Sequence, residues 1–204
     1  MAYRNKAGQS SVSPIRDMDQ LRNFIAYYRR KRDAEPEGFR RRIYDRNYML
    51  ILLGVNAALR FSDLRRLTVD KVEFNEISQR DQKTGKENKF RLNGEIHREL
   101  KAYIGRQGLK DIDFLFWSRN GVNLSLSRKQ GYNIVREAAE GVGIHYQVGT
   151  HTLRKTFGYW FYQQYHDVVA LQTILHHSSP SITLVYIGML KDEVAEKREK
   201  FRLM

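Results

Sequence analysis

Apolar residues recur at Met18, Leu21, Phe24, Ile25 and Tyr28, the spacing of one core-facing side of an α-helix. Asp17, three residues before Gln20, stands where a capping box would open that helix. A loop holding Pro36 and Gly38 follows, and a second helix turns apolar from Ile43 to Leu59. Ser62 is placed to cap a short helix carrying Leu64 and Leu67. Between residues 71 and 93 the period changes: Val72, Phe74 and Ile77 alternate with polar residues, Lys83-Thr84-Gly85-Lys86 reads as a hairpin turn, and Phe90 and Leu92 lie on the returning strand. Helical spacing resumes over 95–104 and 127–140, the latter stopped by Gly141 and Gly143, with Phe114-Leu115-Phe116 as a short buried segment between them. The last third predicts helices over 152–166, 168–176 and 181–188, then a tail from Asp192. The fold class expected is α+β, mainly α, with one small antiparallel sheet and a hairpin near 72–93. Residues 1–14 read as a flexible start, 15–188 as one domain, and 189–204 as a C-terminal tail or helix.

Length permits one domain with a real core, and 41% hydrophobic residues argue against global disorder. A net charge of +13 changes the picture. A surplus of that size implies a polyanionic partner, because each Lys or Arg set against a phosphate also releases condensed counterions. Two basic runs, Arg29-Arg30-Lys31-Arg32 and Arg40-Arg41-Arg42, are the expected contacts to a phosphate backbone, the bland alternative being solvated helix ends. The chain has no cysteine, which excludes disulfides, thiolate catalysis and cysteine-held zinc. The longest apolar run, Met49 to Leu53, is far too short to cross a bilayer, and the first thirteen residues carry no signal-peptide core. No membrane partner is therefore expected, and the protein reads as cytoplasmic.

Four signals carry candidate chemistry. Arg60 leaves the end of an apolar helix in Ala58-Leu59-Arg60-Phe61-Ser62-Asp63-Leu64. Lys83 sits in the expected hairpin turn. His151 and Arg154 share a face at the start of a helix, and His176-His177-Ser178-Ser179-Pro180-Ser181 leads to Tyr186. Alone, each is weak: a surface arginine, a solvated turn lysine, a capped helix, a pair of histidines. The paired histidines invite a metal, but no further carboxylate or histidine lies at ligand spacing, so no metal and no cofactor are expected. Together the residue types suit phosphoryl transfer. Two arginines can fork onto the phosphate oxygens as charge develops. A tyrosine hydroxyl can attack if a neighbour takes its proton. A lysine can protonate a departing sugar oxygen, and histidines can share the proton traffic.

In this order and spacing the residues resemble the tyrosine recombinases, or phage-integrase family, over roughly residues 15 to 204. The signature Arg, Lys, His-x-x-Arg, His, Tyr is matched by Arg60, Lys83, His151 with Arg154, His177 and Tyr186, with Asp63 where the family keeps a supporting acid. Leu175-x-His177-Ser178-Ser179 and Ser181-Ile182-Thr183-Leu184-x-Tyr186 add to the match. The resemblance implies a recombinase catalytic domain acting on double-stranded DNA at the nucleoid. Arg60 and Arg154 would clamp the scissile phosphate, Lys83 would protonate the 5′-oxygen, His151 and His177 would assist, and Tyr186 would hold the 3′ end covalently, with neither metal nor ATP. It also implies a homotetramer on two DNA sites, a tail at 189–204 exchanged between subunits or packed on its own domain, and room for accessory DNA-bending proteins. Two positions depart from the family: His176 and Ala58 stand where glycine is common. The chain starts about where the family's catalytic domain starts, so it reads as a fragment of a longer integrase or as a short member. The rival readings are a catalytically silent DNA-binding regulator and a type IB topoisomerase-like enzyme.

Overall fold

A computed structural model describes residues 12–73, 76–80, 85, 87–189 and 198–202. Its first element, α1 (Met18–Ala34), opens on Asp17, whose carboxylate accepts from Gln20 N at 2.7 Å. Leu21, Phe24 and Tyr28 are buried as their spacing requires, whereas Met18, at the helix edge, is 39% exposed. α2 (Phe39–Asn56) is sheathed by the rest of the protein from Asp45 to Val55 and ends three residues short of the apolar run that predicted it. α3 (Phe61–Leu64) starts two residues earlier than expected: Arg60 is its N-cap, and Ser62 lies inside the helix instead of capping it.

The sheet has three antiparallel strands in the order β1 (Val72–Glu73), β2 (Glu76–Arg80) and β3 (Glu87–Arg91). Ile77 faces Val72 on one side and Phe90 on the other, and its full burial fixes the register of the sheet on the core. Of the Lys83–Lys86 turn only Gly85 is among the described residues, with φ +69°. α4 (Gly94–Gln107) is capped by Asn93, and α5 (Arg128–Glu140) carries a full capping box between Ser127 and Gln130. Leu115 and Phe116 are fully buried between them. α6 (Thr150–Tyr165), α7 (Val168–Leu175) and α8 (Pro180–Ile187) complete the chain of described helices up to residue 189.

The main core joins α1, α2, α4, α5 and Leu153 of α6. A smaller apolar cluster of Ala58, Leu171, Leu175 and Ile187, flanked by Phe157, Phe161, Leu184 and Tyr186, seats α7 and α8 against the other side of α6. The seam between the two clusters is where the candidate site lies. Residues 12–14, expected to belong to a flexible start, are docked: Pro14 and Ile15 are buried, and Ile15 N donates to Thr156 Oγ1 at 3.0 Å.

One buried charge ties the helices of the main core together. Asp45 of α2 accepts from Arg32 of α1 at 2.9 Å, from Arg106 of α4 at 2.9 and 3.1 Å, and from Gln107 at 3.1 Å. Burial pushes this carboxyl up, but the hydrogen bonds from Arg106, Arg32 and Gln107 prevail and hold it below the ordinary carboxylate range. A group whose folded pKa is depressed adds stability above its unfolded value, near 4, and loses it as pH falls through the folded value. Asp45→Asn is therefore expected to lower unfolding free energy by about 3–5 kcal/mol at neutral pH. It should also flatten the acid limb of stability below about pH 4. Urea denaturation from pH 2 to 7 checks both.

Candidate active site

Arg154 lies on the second turn of α6, and its side chain is 3% exposed. It donates Nη1 to Ala58 O at 2.7 Å and Nη2 to Leu175 O at 2.6 Å. Its guanidinium thus joins the end of α2 to the end of α7, the two loops that lead to Arg60 and His177. Burial lowers its pKa to about 10, with Arg60 adding to the decrease and Tyr186 and Asp63 opposing it, so it stays charged at neutral pH.

The two carbonyls it grips belong to unusual backbone. Ala58 has φ +55°, and His176, which follows Leu175 as the cap of α7, has φ +49°. Both lie in the left-handed region that favours glycine. The two positions where the chain departs from the family's common glycine are thus left-handed junctions. The conformation survives the substitution because Arg154 and the helix-end bonds, among them His177 N to Gln172 O at 3.1 Å, hold the turns.

From Ala58 the chain reaches Arg60, whose carbonyl accepts from Asp63 N and Leu64 N at 2.9 Å. Asp63 is fully buried, and the Ser62 hydroxyl donates to it at 3.4 Å. Arg60 and Arg154 both lower the pKa of Tyr186, so the two arginines and the phenol share one electrostatic field. On α8, the Tyr186 hydroxyl is enclosed and near enough to Arg154 to feel its charge, without a well-formed hydrogen bond. Burial outweighs the two cations and holds the phenol above its ordinary value. The His177 ring meets Tyr186 edge-on, with centroids 5.0 Å apart at 74°, and its Nδ1 is 3.1 Å from Thr183 Oγ1. Thr183 Oγ1 in turn lies 3.3 Å from Ser179 O.

Arg60, Asp63, Arg154, His177 and Tyr186 are therefore brought together. His151 sits exposed in the first turn of α6, one turn before Arg154. Lys83 lies outside the described residues. Among the described residues no group of three or more His, Asp or Glu side chains could hold a metal ion.

Close backbone approach lets these elements meet, and glycine supplies it beside each key residue. A Cβ on Gly54 of α2 would stand 2.6 Å from Leu153, next to Arg154. One on Gly158 of α6 would stand 2.7 Å from Ile187, next to Tyr186. One on Gly131 of α5 would fall 1.9 Å from the ring of Phe61, next to Arg60.

The basic runs divide. Arg32 serves Asp45, Arg42 donates to Gln107 O at 2.9 Å, and Lys31 pairs with Glu137 at 2.7 Å while lying over the Tyr27 ring. Arg41 reaches Glu35 O and Glu37, and Arg40 pairs loosely with Glu35 at 3.5 Å. Arg29 and Arg30 are exposed, with Arg30 folded back on Asn23. Sequence reasoning passed over a second basic group: Arg65, beside exposed Arg66 and Arg128, has its pKa lowered by burial and by the charges of these two neighbours. It also passed over Lys155, whose Nζ lies 5.2 Å from the Tyr186 ring centroid and whose pKa burial lowers. A lysine following a helix arginine gives no signal in one dimension.

The sequence model of the phage integrase family matches residues 17–193. The chain is 38% identical over 182 residues to the probable integrase/recombinase YoeC of Bacillus subtilis, covering 89% of this chain and 92% of that protein. It is 33% identical over 154 residues to the tyrosine recombinase XerC of Neisseria meningitidis, covering 74% of this chain but only 49% of that relative, so it spans about half the length of XerC. The fold matches a crystal structure of the XerH site-specific recombinase bound to its palindromic difH substrate, with a TM-score of 0.71 at 21% identity, covering 94% of this chain and 54% of that one.

The close approach at Gly131 is the most sensitive of the three. Gly131→Ala is expected to push Phe61 off α5 and to cost about 1–3 kcal/mol, the usual range for overpacking. A thermal melt checks the loss of stability, and recovery in the double variant Gly131→Ala with Phe61→Leu would trace it to this contact.

Proposed function

The chain belongs to the phage integrase family, and from that premise we propose that it cuts and rejoins double-stranded DNA at specific sites through Tyr186. The observation that carries the reading is the enclosure of the Tyr186 hydroxyl beside the two cations that would meet a phosphate, Arg154 and Arg60.

On this reading a DNA phosphate meets Arg60 and Arg154, whose charges stabilise the negative charge that develops on its oxygens. The arriving phosphate offsets part of the arginines' pull on the phenol, so attack needs a group to accept the phenolic proton as the oxygen bonds to phosphorus. The P–O5′ bond breaks, and the 5′-oxygen takes a proton, which we assign to Lys83. His177, edge-on to the tyrosine, and His151, at the exposed start of α6, are assigned to phosphate hydrogen bonding and proton transfer. Asp63 supports the field around Arg154. Attack by a second strand's 5′-hydroxyl returns the tyrosine and reseals the DNA without loss of bond energy, so neither ATP nor a metal enters the scheme. A tetramer on paired sites, with DNA-bending accessory proteins, completes the proposed setting.

Nicked duplexes drawn from a random-sequence library are the test. Wild type in EDTA is expected to give a denaturant-stable adduct, and Tyr186→Phe none. An adduct with Tyr186→Phe would move the nucleophile elsewhere. Binding without an adduct in either protein would favour the silent regulator.

The basic surface sorts into two roles on this reading. Exposed Arg29, Arg30, Arg40, Arg66 and Arg128 are assigned to the phosphate backbone, with Arg41 and Arg65 beside them. Lys31, Arg32 and Arg42 mainly hold helices. Arg128→Ala should weaken binding to all sequences alike and reduce the salt slope of affinity by about one, with little change in stability. Arg32→Ala should instead destabilise the fold and leave that slope nearly unchanged. Affinity measured across a salt series, with a melt for each variant, separates the two.

A further inference from the structure

Residues 12–16 cross α6 and end at α8. Trp160 Nε1 donates to Ile15 O at 3.0 Å, and Ser13 N to Gln147 O at 3.3 Å, so the segment is fastened along its length. Two cations connect it to the tyrosine helix. Lys155 Nζ donates to Val12 O at 2.9 Å and stands 5.2 Å from the centroid of the Tyr186 ring. Arg16 donates to Gly188 O at 2.9 Å while lying 5.3 Å over the Tyr159 ring. Gly188 is the left-handed cap of α8, φ +79°, two residues beyond Tyr186.

Tyr186 is thus bracketed, with one cation at its ring and the other at the end of its helix. α8 is eight residues long, too short to hold a helix by its own propensity, so its placement rests on such contacts. Lys155 is 8% exposed, and burial pulls its ammonium toward the neutral form. An apolar side chain of similar length would avoid that desolvation, so its charge at this position points to something other than stability. Arg16 is exposed and contributes nothing to the core.

Resting on the reading of Tyr186 as nucleophile, we propose that residues 12–16 form a clasp that sets Tyr186 for attack, with Lys155 and Arg16 as its positioning residues. The clasp is thereby coupled to the reacting oxygen, and loosening it changes how often the phenol faces the phosphate.

The test uses the full chain in single turnover, on a nicked duplex selected from the library for adduct formation with wild type. At saturating DNA, Arg16→Gln and Lys155→Met are expected to slow adduct formation about ten- to a hundredfold, the scale of an ångström-sized misplacement. DNA affinity should stay within about twofold of wild type, since a purely electrostatic backbone contact would show in affinity instead. Lys155→Arg should recover most of the rate. Wild-type rates in both variants, beside an inactive Tyr186→Phe, would overturn the clasp and leave the nucleophile standing. So would a loss confined to affinity. Adduct formation by Tyr186→Phe would instead overturn the reading beneath it. Should Lys155→Met fail to fold, Arg16→Gln decides alone, because its side chain is at the surface.

Discussion

A guanidinium sealed from water must find its hydrogen bonds inside the protein, and Arg154 finds them on the carbonyl oxygens of Ala58 and Leu175. Everything else about the site is arranged around that constraint. The bonds draw the end of α2 and the end of α7 to a common point, and from there the chain can only continue to Arg60 in one direction and to His177 in the other. The same guanidinium remains charged, so a single side chain is keystone and, on the proposed reading, receptor for a phosphate. Structural and chemical roles cannot be separated at this position by deletion. The residues around it can separate them, since they touch one function without the other.

The price of drawing three helices and a loop together is steric, and it is met by leaving out side chains. Gly54, Gly131 and Gly158 each stand against the residue next to Arg154, Arg60 or Tyr186, respectively. The left-handed turns at Ala58 and His176 are the complementary case: there the chain keeps a side chain where backbone geometry favours none, and the hydrogen bonds on each side hold it.

Much of this was legible in one dimension, for identifiable reasons. Asp17 and Ser127 cap helices through bonds that span three residues, and such local chemistry is written in adjacent letters. The core of α1 follows from its period, apart from Met18 at the edge. The ordered signature from Arg60 to Tyr186 could be matched because family members share its spacing. What sequence could not supply were pairings between distant residues. Arg32 reads as one of a basic run until Asp45 and Arg106 are seen around it, and Lys31 until Glu137, 106 positions away, is found on the neighbouring helix. Residues 12–14 look like a loose start because Val12, Ser13 and Pro14 offer no periodicity. Their partners lie on α6 and in the loop before it, more than a hundred residues on.

The division of the interior into two apolar clusters bears on how the molecule fluctuates. α7 and α8 rest on the smaller one, whose fully interior members are few, whereas the large cluster takes residues from α1 to α6 and from β2. Cooperative opening of a protein begins where buried apolar contacts are fewest. The segment from Val168 to Gly188 is accordingly expected to open to amide exchange ahead of the helices of the main core. Tyr186 rides on that segment. If Tyr186 is the nucleophile, its hydroxyl belongs to a segment resting on the smaller apolar cluster, and withdrawing it would take only a sub-global excursion, a reversible idle state that needs no second fold.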